Sequence, residues 1–199
     1  MRCEMRYGRT RWMAVACGWV MLTGLGAGSA VAAQVESITV THGDGGFKIA
    51  FDAVVDAPAR RVYAVLSDYA RFARMNPAIV SMSVEAAPAG RGERVRSVLK
   101  SCVWFFCRQV VQVEDVTEPD SRTIVAHIVP GLGDFESGSG LWRVTDAGAG
   151  ARLHYEATRV ASFWIPPLIG PWAIKRTLRD QLESSVTTLE RLARQQPAR

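Results

Sequence analysis

The middle of the chain alternates between apolar and polar positions. In GFKIAFDAVVDA, residues 46–57, Phe47, Ile49 and Phe51 interleave with Lys48, Ala50 and Asp52, the period of a half-buried strand. The period then changes: Val62, Val65 and Leu66 share one helical face of APARRVYAVLSD. Pro58 suits the first turn of that helix, where a missing N–H costs least. DYARFARMNP predicts a second short helix that Pro77 ends, because proline disfavours helical backbone in the residue before it. Strand patterns resume near 78–86, 93–102, 107–117, 121–130, 135–146 and 151–160, punctuated by PAGRG, EPDS, PGLG and DAGAG. Last comes a long helix. From Ile174, the residues Leu178, Leu182, Val186, Leu189 and Leu192 or Ala193 recur at helical spacing, with Lys175, Arg176, Arg179, Asp180, Glu183 and Glu190 mostly elsewhere. Pro171 sits near its start. Residues 34–45 read as a polar lead-in and 195–199 as a frayed tail.

A one-sided apolar stripe must be covered, and the sheet is the only large partner for the last helix. The order strand, two short helices, six strands, long helix predicts an α+β fold of one domain over residues 46–194. In it a curved antiparallel sheet of about seven strands wraps a C-terminal helix.

Three stretches carry a resemblance. VVDAPARRVYAVLSDYARFARMNP, GSGLWRV followed by ARLHYEATRV, and the proline-led IPPLIGPWAIKRTLRDQLESSVTTLERLA resemble, in that order, motifs of the START-like (SRPBCC) superfamily. That superfamily includes polyketide cyclase/dehydrases, coenzyme-Q-binding proteins and lipid-transfer domains. The resemblance spans roughly residues 46–194. It implies a helix-grip fold with a pocket for a hydrophobic molecule between sheet and long helix.

The amino terminus changes the reading of charge and cysteine. MRCEMRYGRTRW has Arg2, Arg6, Arg9 and Arg11 against Glu4, an apolar run follows from Trp12 to Leu25, and GAGSAVAAQ closes it. Positive start, apolar middle and small-residue end predict a secretory signal peptide over residues 1–33, cut after Ala32 or Ala33. The expected compartment is the bacterial periplasm. An uncleaved inner-membrane anchor is the alternative, since Trp12 to Ala33 nearly reaches spanning length. Removing the four arginines and one glutamate of this segment from 24 basic and 19 acidic residues leaves 20 against 18. So small a charge gives no reason to expect a nucleic-acid partner. Cys3 and Cys17 leave as well, so the mature chain keeps Cys102 and Cys107, an expected disulfide in an oxidising compartment.

Candidate chemistry is sparse. His42, His127 and His154 show no metal-ligand spacing, and no nucleophile elbow, phosphate loop or dinucleotide fingerprint occurs, so no metal or cofactor is expected. Period-two alternation puts Glu136, Gly138, Gly140 and Trp142 on one face, and Leu153, Tyr155 and Ala157 on another. The ligand-binding candidates are Phe51, Glu136, Trp142, Tyr155 and Leu178. Glu136 is either a polar handle inside the pocket or a rim residue in water. An enzyme of cyclase or dehydrase type would need an inward acid–base pair, such as Glu136 with Tyr155 or His127. Two or more inward ionisable groups with perturbed pKa values would favour it.

The stretch SCVWFFCRQVV predicts a hairpin in which Cys102 faces Cys107 and three aromatic residues stand at the turn. Val98 then faces Val111 while Arg96 faces Val113, so neither side is cleanly apolar and a bulge is the expected remedy. Trp104, Phe105, Phe106 and, in SFWIPPLIGPW, Trp164 are candidate contacts with a membrane or partner, or plugs of the core. The function expected is a non-catalytic carrier of a lipid, sterol-like molecule or quinone that touches membranes transiently. The alternatives are an enzyme acting on a hydrophobic substrate and an interaction module with a filled interior.

Overall fold

The computed structural model describes residues 33–43, 46–88, 90, 92–103, 106–163 and 171–196. The expected signal peptide, Trp104, Phe105 and Trp164 lie outside the described residues, as do residues 197–199. Among the described residues, eight strands and three helices follow in order: β1 (Gln34–Gly43), β2 (Gly46–Val55), α1 (Ala59–Leu66), α2 (Tyr69–Phe72), β3 (Ile79–Ala86), β4 (Glu93–Val103), β5 (Phe106–Asp120), β6 (Thr123–Ile128), β7 (Phe135–Ala147), β8 (Gly150–Ala161) and α3 (Pro171–Gln195). All eight strands form one antiparallel sheet in the order β1-β2-β8-β7-β6-β5-β4-β3. Helix α3 packs along β1 and β2 and against α1. The sheet grips one long helix.

The strand count is one higher than the alternation predicts, because the lead-in at 34–43 is itself the edge strand β1. Its pattern hides in a bulge. Val35, Ile38 and Val40 enter the core, and the register shifts between Val35 and Ser37, so the first two buried residues stand three apart rather than two. Strict period-two reading misses such a strand.

One end of the barrel-like grip is clamped. Phe51, Val55, Val62, Leu66, Val144 and Leu153 are fully buried there. The C-terminal turns of α3 are tied to the end of β2: the Asp56 amide donates to the Glu190 carboxylate at 3.0 Å, and Arg194 Nε donates to the Asp56 carbonyl at 2.9 Å. Arg194 also pairs with the carboxylates of Asp56 and Glu190. Helices α1 and α2 are pinned to β5 through one carboxylate. The Tyr63 hydroxyl donates to Glu118 Oε2 at 2.6 Å and the Tyr69 hydroxyl to Glu118 Oε1 at 2.7 Å. Burial first, then these bonds to Glu118, push both phenols far above their ordinary range, so they stay protonated and donating.

At the other end β4 and β5 run past β6 as a hairpin. Cys102 pairs with Cys107 in the ladder and the two are joined by a disulfide. The expected bulge is absent: the register is continuous from Glu93↔Val116 to Val103↔Phe106. Mixed polarity has a different cause. Arg96 extends from the sheet to the Leu132 carbonyl, at 3.1 Å. On the opposite face of β5, Gln112 and Glu114 point inward between Val110 and Val116.

Candidate functional site

Between the concave face of the sheet and α3 lies a cavity of about 460 Å³. That volume suits a small hydrophobic guest. Its floor toward the clamped end is aromatic. Trp142 and Tyr155 have ring centroids 4.2 Å apart, Phe51 stands 5.3 Å from Tyr155 and 5.7 Å from Trp142, and Phe72 meets Trp142 edge-on at 6.0 Å. From α3, Leu178, Leu182, Val186 and Leu189 complete the apolar roof. The space exists because a curved sheet around one helix encloses more volume than these side chains fill.

Of the candidates from sequence, Phe51, Trp142, Tyr155 and Leu178 line this cavity. Glu136 does not: it is exposed. A bulge between Phe135 and Ser137 shifts the start of β7, so Phe135 takes the inward place that alternation assigns to Glu136. His127 is exposed as well. Neither the pair of Glu136 with Tyr155 nor a pair using His127 is therefore assembled in the cavity. Phe106 opens β5 opposite Val103.

The structure adds a polar array that sequence reading missed. Arg159 of β8 lies inside the cavity wall and reaches Glu114 of β5, with Nη2 to Oε1 at 2.6 Å. The two side chains are 11% and 14% exposed. Nη1 donates to the carbonyls of Ser139 at 2.6 Å and Thr158 at 2.8 Å, while Gln112 donates to Glu114 Oε2 at 2.7 Å. Arg159 Nε reaches Gln112 Oε1 at 3.5 Å. Two glycines of β7 let the guanidinium cross that strand. A Cβ on Gly138 would stand 2.4 Å from the Thr158 carbonyl oxygen and 3.2 Å from Arg159 Cδ; one on Gly140 would stand 3.4 Å from Arg159 Nη2. The glycine-rich ESGSG run thus makes room for a buried arginine. A signal was present, since Arg159 continues the face of Leu153, Tyr155 and Ala157 by the same period of two.

Tyr155 lies beside this array. Burial pushes its phenol up; the Arg159 guanidinium opposes that shift and the Glu114 carboxylate adds to it. Tyr69, whose ring also lines the cavity, is raised too. Both shifts run away from neutrality, so these are locked proton donors rather than acid–base groups poised near pH 7. Among the described residues, no group of three or more His, Cys, Asp or Glu side chains is placed to hold a metal ion.

At the hairpin end the cavity wall changes character. Lys100 and Arg108 join Phe135, Phe163 and Ile174 there. The Arg108 guanidinium stacks over the Phe163 ring at 4.2 Å, and Phe163 meets Phe135 edge-on at 6.4 Å.

An eight-stranded antiparallel sheet closed over a C-terminal helix, with an apolar chamber between them, defines a helix-grip domain of the START-like superfamily. The chain belongs to the family described as polyketide cyclase / dehydrase and lipid transport, which matches residues 46–194. No curated protein matches the sequence. Among solved structures, a START superfamily protein from Mycobacterium smegmatis is 18% identical with a TM-score of 0.56, over 74% of this chain and 97% of that one. A STAR-related lipid transfer protein from Xanthomonas axonopodis is 16% identical with a TM-score of 0.54, over 76% of this chain and 98% of that one. At such identities the likeness establishes the fold. Strand β1 lies upstream of the matched residues and widens the sheet on the side that covers α3.

Proposed function

We propose that this protein is an exported, non-catalytic carrier that holds one hydrophobic small molecule or lipid in the cavity between sheet and α3. The observation that carries this reading is the chamber itself: about 460 Å³ of space walled mostly by aromatic and aliphatic side chains, with the buried charges of Arg159 and Glu114 paired to each other. The signal-peptide pattern of residues 1–33 and the disulfide support export to the periplasm.

Uptake and release take place at the hairpin end, in transient contact with a membrane. Support comes from surface chemistry. The large apolar residues that the described part of the chain leaves most exposed are Val80 at 55%, Leu132 at 46% and Trp172 at 56%. Val80 and Trp172 sit near the ends of β3 and α3 that adjoin the hairpin, and Leu132 is in the loop beside β5. Lys100 of β4, Arg108 of β5 and Lys175, Arg176 and Arg179 in the first turns of α3 are exposed as well. Exposed apolar side chains and exposed cations on the same elements suit an anionic lipid surface.

A cyclase-type enzyme is the second reading, and the nearness of Tyr155 to the Arg159–Glu114 pair is the feature that favours it. It would require a guest that is chemically altered rather than returned unchanged.

Titration with the neutral fluorophore N-phenyl-1-naphthylamine tests the carrier reading. Saturable binding at one site per chain is expected, weakened about tenfold or more in Ser185→Trp, which fills the cavity from α3. Equal binding by both proteins, or none by either, would contradict it.

A further inference from the structure

The β4–β5 hairpin loses its neighbours before it turns. Among the described residues its outermost main-chain anchors are the Lys100 amide, which donates to the Ala78 carbonyl at 2.7 Å, and the Val111 amide, which donates to the Asp134 carboxylate at 2.7 Å. Beyond them Ser101 pairs with Arg108, Cys102 with Cys107 and Val103 with Phe106, and no third strand lies in register beside them. A two-stranded ribbon is marginal in water. The disulfide between Cys102 and Cys107 is the covalent tie across it.

This tip also carries part of the cavity mouth. Period two puts Arg108 on the face of Val110, Gln112 and Glu114, which line the cavity, and both cysteines on the opposite face. The Arg108 guanidinium stacks over Phe163 at 4.2 Å and lies 3.8 Å from the Asp134 carboxylate, and Phe163 meets Phe135 edge-on. Arg108, Phe135 and Phe163 all line the cavity, so these contacts draw the tip across its mouth. The other side of the tip is open to solvent: Cys107 is exposed and Cys102 half-buried.

We infer that the Cys102–Cys107 disulfide is a thiol–disulfide exchange site for a dithiol reductant, and that its redox state sets how fast a guest passes the mouth. The second half rests on the carrier reading. Exposed disulfides are the ones that exchange, because the attacking thiolate must reach a sulfur. A thiolate of the reductant attacks Cys107 Sγ, and Cys102 leaves as a thiolate and takes up a proton. The reductant's second thiol then displaces Cys107 from the mixed disulfide. Two electrons and two protons pass to the cysteine pair, and the reductant becomes a disulfide. The tip is then held by its marginal ladder alone, so Arg108 parts from Phe163 more often and the mouth opens more often. The deep wall residues Phe51, Trp142, Tyr155 and Leu178 belong to other elements. Entry and exit therefore accelerate together while affinity holds.

Stopped-flow mixing with N-phenyl-1-naphthylamine, before and after dithiothreitol, tests the inference. Alkylation of Cys102 and Cys107 by iodoacetamide, read by mass, reports reduction of the folded protein. Dithiothreitol should reduce the pair without unfolding the chain. Association and dissociation rate constants should then rise together by about tenfold, with the dissociation constant changed by less than about twofold. Cys102→Ser combined with Cys107→Ser should show the fast rates without reductant and no response to it; if that variant does not fold, the reduced unaltered protein decides. Arg108→Met should exchange the fluorophore fast while its disulfide is intact, and reduction should then add little. A disulfide that resists dithiothreitol until the protein unfolds, or unchanged rates in the reduced protein, would overturn the inference and leave the carrier reading standing. Failure of the fluorophore itself to bind would contradict the carrier reading, and control of the mouth with it.

Discussion

The two ends of α3 do different work. Its last turns meet fully buried aliphatic side chains, an amide-to-carboxylate bond at Glu190 and the Arg194 bridge to Asp56, so this end is held by packing and by charge together. Its first turns face the cavity and the hairpin, where wall residues are aromatic or cationic and large apolar side chains stand exposed. One element thus anchors the fold at one end and borders an unfilled space at the other. Stability concentrated away from the site is a general arrangement for proteins that must admit a guest, because the elements that move come from the less tightly held part of the structure.

Substitutions can break this contrast. The largest effect is expected from Val144→Ala at the clamped end, where a fully buried side chain outside the cavity lining leaves a new void: about 2–3 kcal/mol lost in denaturant unfolding. Leu178→Ala removes a side chain that already borders empty space, and it should cost about 1 kcal/mol while weakening guest binding. Equal losses at the two positions would contradict the contrast.

The disulfide sharpens it. Replacing Cys102 and Cys107 together with serine should lower stability by roughly 2 kcal/mol through the unfolded chain, leaving the cavity walls in place. A loss of fluorophore binding larger than the loss of stability explains would show that the hairpin also shapes the chamber.

Glu118→Gln at the clamped end should cost about 1 kcal/mol, because one carboxylate serves both Tyr63 and Tyr69. Thermal unfolding would report it, with guest binding unchanged.

The smallest effect concerns pH. His154, on the outer face, is bonded at Nδ1 to Asp52 at 2.8 Å and lies 3.1 Å from Glu156 at Nε2. The bond to Asp52 first, then Glu156, raise the imidazole above its ordinary range against a modest desolvation effect. Its folded pKa being raised, its contribution is full below about pH 6.5 and is lost as pH rises through the folded value. The bond from His154 chiefly lowers the Asp52 carboxyl, whose contribution is present above its unfolded value near 4 and is lost as pH falls. Between pH 6 and 9 the protein should lose up to about 1 kcal/mol that His154→Gln does not lose, since the pair is partly exposed. Unfolding curves across that window check it.

The fold was legible in sequence wherever periodicity was unbroken. The stripe from Ile174 to Ala193 and the alternation of Phe47, Ile49 and Phe51 appear as read, and they place Phe51 and Leu178 in the cavity wall. What failed did so for two physical reasons. Bulges reset the parity of side chains, which concealed β1 and turned Glu136 outward while Phe135 turned in. Partners distant in sequence were the other. Nothing local to Gln112 or Glu114 shows that Arg159, from a strand three places away in the sheet, will bond to them, so the array was not legible in β5.

Occupancy of the chamber is the central claim, and native mass spectrometry of protein isolated from its native host, followed by solvent extraction, measures it directly. The account predicts one bound apolar molecule per chain, recovered chemically unchanged on denaturation and reduced in Ser185→Trp. A protein that carries nothing in its native state and takes up no neutral apolar probe when offered one would contradict it.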